Sequence, residues 1–400
     1  MMTQPCPKKF PTDYEPFWVV PNCKVQVKKE VAGVTEIQEN NTNLPTELLQ
    51  KIFHSLYLDG SIRFRLASKA WISINPPVRS FHPKTLSDSQ QLPWLISLPN
   101  TKNNICHFYH PIYTDAYIMS LPQLAGAIVR HAKFGWLLLS RESTSFFFFN
   151  PFTLEIVKLP EILTRPYHFA NISFSSPPTS TDCVVFGHKS CHWKDVSIAV
   201  YSKSDDRWVS YNYKNGLDMF IPSHCNPVFH DGVFWSLSKN GKLGVFNTKE
   251  TNIDDMWKVY SNPSVPDVDS SLPADLLFYT VSTRSFIMEC DGEIFCVFVG
   301  FVGTPVCVYK LDQSNETMIW NKVESLGEKI MFLSNTTSLL IPTGLKGTEN
   351  RIYFPRFKEN AGIFYSLRSG NYHSFGKQES LADWIDTCEH WNCTWFQITK

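Results

Sequence analysis

The chain has little charge, no net charge and no long hydrophobic run. Asp, Glu, Lys and Arg make up 18% of its 400 residues, and 37 acidic residues balance 37 basic ones. Globular chains usually carry roughly 25% charged residues, and dedicated nucleic-acid-binding proteins usually carry a basic excess. No apolar run approaches the length of a membrane span, and the run at residues 146–149 has the length of a strand. We therefore expect neither a nucleic-acid partner nor a membrane partner.

The N-terminal 30 residues also lack the apolar core of a secretion signal. Their longest apolar run is residues 17–20, which lies between prolines. The 11 cysteines are an odd number, so we interpret them as reduced thiols. Five Asn-x-Ser/Thr sequons are then interpreted as chance occurrences: Asn40, Asn171, Asn315, Asn335 and Asn392. We expect a soluble protein of the nucleus, the cytoplasm or both.

Motifs of common enzyme classes are missing. The sequence contains no Gly-x-Ser-x-Gly, no phosphate-binding Gly-x-x-x-x-Gly-Lys-Ser/Thr and no Gly-x-Gly-x-x-Gly. Three close carboxylate pairs, residues 205–206, residues 254–255, and Glu289 with Asp291, meet the minimum composition of a glycosidase site. All three are predicted in turns, where Asp is favoured because it hydrogen-bonds the backbone. We expect no catalytic residue.

Two groups of cysteine and histidine were weighed as metal sites. Cys388, His390 and Cys393 lie within six residues, but a structural zinc site needs four ligands and no second pair follows. The other group, residues 191–192 with Cys183, has no standard spacing. His110, His188, His224 and His230 show no partner pattern and are interpreted as polar strand or loop residues. We expect no metal and no cofactor.

Aromatic residues are abundant, with 30 Phe, 15 Tyr and 12 Trp, and such residues favour strands. Beyond about residue 92, short aromatic and β-branched runs are broken by hairpin dipeptides at residues 231–232, 240–241, 291–292 and 369–370. A repeated unit, in which an aliphatic-aromatic strand end is followed by a polar turn and another strand, recurs six times. It is anchored on Tyr109, Phe149, Tyr201, Phe246, Tyr309 and Tyr365.

The intervals between these anchors are 40, 52, 45, 63 and 56 residues. Blades of four antiparallel strands have periods of roughly 40 to 50 residues, so the spacing predicts a β-propeller of about six blades. The first and last units are candidates for a shared closing blade. Trp208, Trp257 and Trp320 recur at equivalent positions, which favours packing between blades over exposed sugar-binding surfaces.

A different pattern occupies residues 43–74. Apolar residues at helical spacing predict three short helices, with Asn43, Ser61 and Ser68 as their N-caps. The residues before them, 1–42, show no sustained period and are predicted to be a flexible leader. Three helices in so short a module cannot enclose much core, so the module is predicted to bind a partner.

The helical segment resembles an F-box. The resemblance rests on the leading Leu44-Pro45, the aliphatic ladder, the Arg-Phe-Arg of residues 63–65 and the Lys-x-Trp that ends at Trp71. The downstream part resembles the KIB-type β-propeller domain of plant F-box proteins. That resemblance rests on residues 135–139, 150–153, 231–235 and 350–354. The implied organisation is a small all-α F-box at 43–80 followed by a mostly β propeller at 92–377.

The resemblance implies a non-catalytic substrate receptor of an SCF-type cullin ubiquitin ligase. The F-box would dock on the Skp adaptor, and through it on a cullin, while the propeller would bind a protein target. The predicted adaptor interface consists of Leu44, Pro45, Leu48, Ile52, Leu56, Phe64, Arg65 and Trp71. The alternatives are a helical cap packed on the propeller, a carbohydrate-binding or carbohydrate-cleaving propeller, and an F-box scaffold that directs no degradation.

The target and its binding residues cannot be inferred from the sequence, because propeller loops follow no code. The proline-rich segment 261–275 is interpreted either as a recognition loop or as a solvated linker. Residues 378–400 contain Trp384, Trp391 and Trp395, which is too aromatic a composition for a free tail. We expect this segment to pack on the propeller or on the F-box.

Overall fold

A computed structural model describes residues 92–98, 104–112, 116–141, 144–151, 153–162, 169–189, 195–215, 220–239, 241–260, 284–300, 303–314, 317–358, 361–374, 384, 387 and 392–397. These segments contain twenty-five strands in six sheets, so the expected six-bladed propeller is confirmed. The predicted leader, the predicted F-box at 43–80 and the segment 261–275 lie outside the described residues. Within the described segments, no helix has the length and apolar character needed to cross a membrane.

The first three blades follow the chain in order. Blade 1 contains β1 (Trp94–Ser97), β2 (Ile105–Tyr109) and β3 (Ala116–Ser120). A 3₁₀ turn (Pro122–Leu124) leads to blade 2, which contains β4 (Ile128–Lys133), β5 (Trp136–Arg141), β6 (Ser145–Phe149) and β7 (Ile156–Lys158). Blade 3 contains β8 (Phe169–Phe174), β9 (Val184–Lys189), β10 (Asp195–Ser202) and β11 (Arg207–Lys214).

The remaining blades follow in the same way. Blade 4 contains β12 (Val228–His230), β13 (Val233–Leu237), β14 (Leu243–Asn247), the helical turn α1 (Ile253–Met256) and β15 (Trp257–Tyr260). Blade 5 contains β16 (Arg284–Cys290), β17 (Glu293–Val299), β18 (Val306–Asp312) and β19 (Ile319–Val323). Blade 6 contains β20 (Lys329–Phe332), β21 (Leu339–Pro342), β22 (Arg351–Lys358), β23 (Ala361–Ser366) and β24 (Asn371–Ser374). The last strand is β25 (Cys393–Phe396).

The predicted repeat corresponds to one position in every blade. Its six anchors lie on β2, β6, β10, β14, β18 and β23, and each of these is the next-to-last strand in its sheet. The strand that follows each anchor ends the sheet. The strands at the opposite end of neighbouring sheets, such as β4 and β8, contact one another and surround the axis.

The C-terminal strand closes the ring. β25 pairs antiparallel with β1 along its whole length, from Trp94 opposite Phe396 to Ser97 opposite Cys393. Blade 1 is therefore built from both ends of the described chain, in the order β25-β1-β2-β3. The propeller extends past residue 377, because its closing strand is formed by residues of the predicted C-terminal segment.

Blade 6 departs from the four-stranded pattern. Its order is β21-β20-β22-β23-β24, and β20 runs parallel to β22 where the strand pairs of the other blades are antiparallel. The hairpin of β20 and β21 thus occupies the inner position that a single strand fills elsewhere. Its turn, residues 333–338, reaches the axis.

The core lies between neighbouring blades. Buried residues form five clusters: between blades 1 and 2, 2 and 3, 3 and 4, across blades 4 to 6, and between blades 6 and 1. The middle strands of a blade are covered on both faces, so the four Phe of residues 146–149 are all buried without alternation. Burying one Phe side chain contributes about 1.5–3 kcal/mol, which makes these interfaces the main source of stability.

Two of the hairpin dipeptides form the predicted tight turns. Asp231 and Gly232 have φ angles of 51° and 83°, and Asp291 and Gly292 have 53° and 80°. Positive φ at both central positions defines the type I′ turn, which matches the twist of the flanking strands. Gly370 also has a positive φ of 70°, whereas Asn240 lies outside the described residues.

Candidate functional site at the propeller axis

One buried carboxamide links four blades at the axis. Asn226, just before β12 of blade 4, donates from Nδ2 to the carbonyls of Arg130 in blade 2 (2.5 Å) and Thr336 in blade 6 (2.6 Å). Its Oδ1 accepts the backbone N–H of Ile172 in blade 3 at 2.8 Å. Because hydrogen bonds are directional, this side chain fixes the relative positions of these inner strands.

Threonines form a second set of axial contacts. The Thr337 hydroxyl oxygen accepts the Ala132 N–H at 2.9 Å and the Thr394 hydroxyl at 3.0 Å. The Thr336 hydroxyl donates to the carbonyl of Cys393 at 3.1 Å. The turn of blade 6 is thereby bonded both to blade 2 and to the closing strand.

The residue before the closing strand makes a matching contact with blade 2. The Asn392 carboxamide accepts the Val129 N–H at 2.9 Å and donates to the Ala127 carbonyl at 3.0 Å. In blade 3, the Asn171 carboxamide donates to the Ser223 carbonyl at 3.0 Å. Both side chains belong to sequons, and both are engaged in contacts between inner segments of different blades.

A small cavity lies among these groups. Its volume is about 20 Å³, which is room for about one water molecule. Its lining comes from blades 2, 4, 5 and 6: His131, Asn226, Pro227, Val228, Ile287, Ser334, Thr336, Thr337 and Ser338. Pockets for drug-sized ligands span roughly 300–1,000 Å³, so this cavity has room for a water molecule and not for such a ligand.

His131 is the titratable residue of this lining. Its Nδ1 lies 2.7 Å from the Thr336 carbonyl oxygen, so Nδ1 carries the proton and donates it. Asn226 Nδ2 lies 3.3 Å from the same Nδ1, and both nitrogens donate to that one carbonyl. Burial lowers the pKa of His131 to about 4, so the ring is neutral at pH 7 with an unprotonated Nε2.

Sequence reasoning missed this site. Neither His131 nor Asn226 belongs to a motif, and the two residues are brought together only because β4 and the segment before β12 both approach the axis. The sequence did not predict the turn of blade 6 either, because the hairpin that contains it departs from the repeat. No local signal in the sequence identifies these positions.

The three carboxylate pairs lie in separate blades, and each makes a structural contact. Asp206 accepts the Tyr201 hydroxyl at 3.0 Å, and Asp255 accepts Asn252 Nδ2 at 2.7 Å at the start of α1. Asp291 forms an ion pair with Lys329 at 2.7 Å, and the hydrogen bond from Lys329 lowers the pKa of Asp291. These contacts are typical of carboxylates that stabilise turns.

The equivalent tryptophans pack within the propeller. Trp208 Nε1 donates to the Pro160 carbonyl at 2.8 Å, which links blade 3 to the end of blade 2. Trp320 Nε1 donates to the Gly241 carbonyl at 2.9 Å, which links blade 5 to blade 4. Trp257 and Trp320 are buried. The buried Trp257 and Trp320 therefore do not offer stacking faces for sugars.

Most thiols of the described segments are buried, as are three of the histidines: His110, His131 and His188. His188 Nε2 hydrogen-bonds Ser236 Oγ at 2.8 Å, and the His110 ring packs edge-on against Trp94 at 4.9 Å. Burial raises the pKa of the Cys106 thiol to about 12 and that of Cys225 to about 11. Among the described residues, no three His, Cys, Asp or Glu side chains group together as metal ligands.

Some of the residues that were weighed as metal ligands, and all residues of the predicted adaptor interface, lie outside the described residues. Residues 191–192, Cys388 and His390 lie outside the described residues. So do all eight residues of the predicted adaptor interface: Leu44, Pro45, Leu48, Ile52, Leu56, Phe64, Arg65 and Trp71. Their assignment remains a prediction from the sequence.

The fold and the polar axis define a closed six-bladed β-propeller protein. The profile of the KIB1-4 beta-propeller family matches residues 68–374. The F-box/kelch-repeat protein At1g57790 of Arabidopsis thaliana is 32% identical over 361 residues, covering 86% of this chain and 94% of that protein. The F-box protein At4g00893 of the same plant is 26% identical over 353 residues, covering 86% and 84%.

The chain therefore belongs to the KIB-type β-propeller family of plant F-box proteins. Among solved structures, the tricorn protease is similar with a TM-score of 0.38 and 10% identity, covering 72% of this chain and 30% of that one. That similarity is too low to inform function.

Proposed function

We propose that this protein is the substrate-recognition subunit of an SCF-type cullin ubiquitin ligase. In this proposal the F-box at 43–80 binds the Skp adaptor, and the propeller holds a protein target for ubiquitination. The observation that carries the proposal is family membership: relatives that match along most of their length are named F-box proteins. The F-box resemblance of residues 44–71 is independent support from this chain.

The described architecture is compatible with a receptor that performs no chemistry itself. Ubiquitin transfer would be accelerated because the receptor holds the target near a conjugating enzyme. A closed ring with a hydrogen-bonded axis holds its loops in fixed positions, as a binding surface requires. We place the protein in the nucleus, the cytoplasm or both, where such ligases act.

The adaptor interface is proposed to depend on its apolar anchors. A few buried residues carry most of the energy of a protein interface, so one charged substitution among them should abolish binding. Ile52 lies on the predicted apolar stripe with Leu48 and Leu56. Leu44 and Pro45 are the second choice for substitution, both to Ala.

Co-purification with a recombinant Skp adaptor tests the proposal. The full chain should bind, and Ile52→Asp should not. Ile253→Asp is the matched control, since Ile253 is 59% exposed on the turn α1 of the propeller. It should bind like the unsubstituted chain. A folded chain that does not bind the adaptor, or an Ile52→Asp variant that binds equally well, would refute the proposed role or its interface.

A further inference from the structure

A small polar cluster of Asn171, Ser173 and His188 lies inside the aromatic interface between blades 3 and 4. Asn171 and Ser173 are on the inner strand β8, and His188 is on the neighbouring strand β9, where it is the pairing partner of Asn171. Residues that pair across two strands point to the same face of a sheet, and so do residues two positions apart on one strand. All three side chains therefore project from one face of blade 3, at adjacent positions.

This face of blade 3 is packed against blade 4. His188 Nε2 hydrogen-bonds Ser236 Oγ of β13 at 2.8 Å, and Asn171 Nδ2 donates to the Ser223 carbonyl at 3.0 Å. The exposed fractions are 4% for Asn171, 1% for Ser173 and 0% for His188, so the polar cluster is shut off from bulk solvent. The buried apolar residues of the same interface are Phe186, Val196, Ile198, Phe220, Phe234, Phe246 and Trp257.

Each residue of the polar cluster has one polar atom that makes no hydrogen bond with a described residue. The atoms are Asn171 Oδ1, Ser173 Oγ and His188 Nδ1, and all three are buried. Buried polar atoms in native proteins are nearly always hydrogen-bonded, to protein groups or to ordered water, because losing hydration without a new partner is costly. Three such atoms at adjacent positions indicate one shared partner.

The chemistry of the three atoms selects that partner. The Asn171 amide is oriented by the bond from Nδ2 to the Ser223 carbonyl, so Oδ1 can only accept a hydrogen bond and repels an anion. Burial lowers the pKa of His188 to about 3, so its ring is neutral at pH 7. Among the described residues, the one buried Asp, Glu, Lys or Arg is Arg356 in blade 6, so no charged side chain is buried here to balance an ion. The partner is therefore neutral, and water both donates and accepts, as the Ser173 hydroxyl and a neutral imidazole require.

We propose that a buried water molecule bridges Asn171, Ser173 and His188 at the interface between blades 3 and 4. One O–H of the water donates to Asn171 Oδ1, and the water completes its bonding with Ser173 Oγ and His188 Nδ1. Internal waters typically make about three such hydrogen bonds. The proposal gives the sequon at residues 171–173 a structural role, since both of its polar side chains hold the water. It concerns the propeller alone and does not depend on the receptor function.

A crystal structure of the full chain tests the proposal directly. It should show one isolated peak of electron density within about 3.2 Å of Asn171 Oδ1, Ser173 Oγ and His188 Nδ1. Crystals grown with rubidium chloride as the only alkali-metal salt should show no anomalous signal at this peak. An anomalous signal would assign the site to a monovalent cation, and the absence of density would mean that the three atoms have protein partners. Either result would overturn the proposal.

A measurement in solution tests the same water without crystals. In the full chain labelled with ¹³C-histidine, the His188 ring proton Hε1 lies next to Nδ1 and should show a nuclear Overhauser effect at the water frequency. Asn171→Leu removes the obligatory acceptor and should abolish this effect. Ser173→Ala, which removes one hydroxyl and no hydrogen bond to a described residue, is the milder variant and should weaken the effect.

Ser236→Ala is the matched control for this measurement. It removes the hydroxyl on Nε2, whose exchanging proton gives a signal at the same frequency, and it leaves the three atoms of the proposed site in place. The Overhauser effect should persist in this variant. Loss of the effect in Ser236→Ala would overturn the proposal, and so would an effect of equal size in the unsubstituted chain, Asn171→Leu and Ser173→Ala.

Discussion

The interfaces between blades and the axis of the propeller are built from opposite chemistry. The interfaces are apolar and aromatic, as in the stack of Phe186 on Phe234 with ring centroids 4.8 Å apart. The axis is polar, and Asn226 and Thr337 bond inner strands from different blades. Apolar burial supplies most of the stability but tolerates small shifts. Directional bonds at the axis then select one arrangement of the blades.

The largest loss of stability is expected at the closing strand β25, where the interfaces between blades meet the axis. Trp395 is 1% exposed, packs on Phe332 at 5.0 Å and donates to the Leu333 carbonyl at 3.0 Å. Trp395→Ala should lower the free energy of unfolding by about 3–5 kcal/mol, since it leaves a cavity at the junction of blades 1 and 6. Chemical denaturation measures this, with Trp395→Phe as the milder variant. A loss under about 1 kcal/mol for Trp395→Ala would contradict the importance of closure.

A smaller but clear loss is expected at the axis itself. Asn226→Ala removes three hydrogen bonds and leaves buried partners unpaired, at about 1–3 kcal/mol for each unsatisfied group. Allowing for relaxation and entry of water, we expect a total loss of about 3 kcal/mol in denaturant titration. The exposed Asn321→Ala, which removes one bond to Asp312, should change stability by less than about 0.5 kcal/mol. Equal effects of the two substitutions would remove the distinction between axis and surface.

Acid should weaken the propeller through its buried histidines. Burial lowers the pKa of His110 and His131 to about 4 and that of His188 to about 3, against about 6.5 in the unfolded chain. Between these values the unfolded chain binds more protons than the folded one. The stabilisation is therefore complete above about pH 6.5 and is lost as the pH falls toward 4 and 3.

Thermal unfolding from pH 8 to pH 4 measures this dependence. Replacement of one buried histidine, as in His188→Gln, should flatten the decline below pH 6.5 even though it lowers stability at pH 8. His373→Gln is the control on β24, the last strand of blade 6, because His373 is only half-buried and hydrogen-bonds Ser369 in an exposed turn. If the dependence of stability on pH were unchanged in His188→Gln, the loss of stability in acid would not come from this buried histidine.

The smallest effect is expected at a surface ion pair, remote from both regions. Lys310 and Glu293 are about equally exposed, with N···O at 2.5 Å. Lys310→Met should lower the free energy of unfolding by about 0.5 kcal/mol, and the difference should vanish at 1 M salt. Denaturation at low and high salt measures it, and a loss above about 2 kcal/mol would contradict the assignment of stability to the interfaces.

The sequence predicted the interfaces far better than the axis. Strand anchors such as Tyr201 and Tyr309 recur because each blade needs an aromatic residue at the same position, and recurrence is visible in one chain. The turns at Asp231 and Asp291 were predicted equally well, because type I′ turns require particular residues. The axial residue Asn226 occupies a position with no repeat, and its partners are far away in the sequence. Such contacts arise only when the ring closes.

The most direct test of the receptor function is isothermal titration of a recombinant Skp adaptor into three forms of the full chain. The unsubstituted chain and Ile253→Asp should bind with the same affinity, while Ile52→Asp should show no measurable heat although its propeller unfolds at the normal temperature. Equal binding by all three forms would contradict the proposed interface. Absence of binding by the folded, unsubstituted chain would contradict the receptor function.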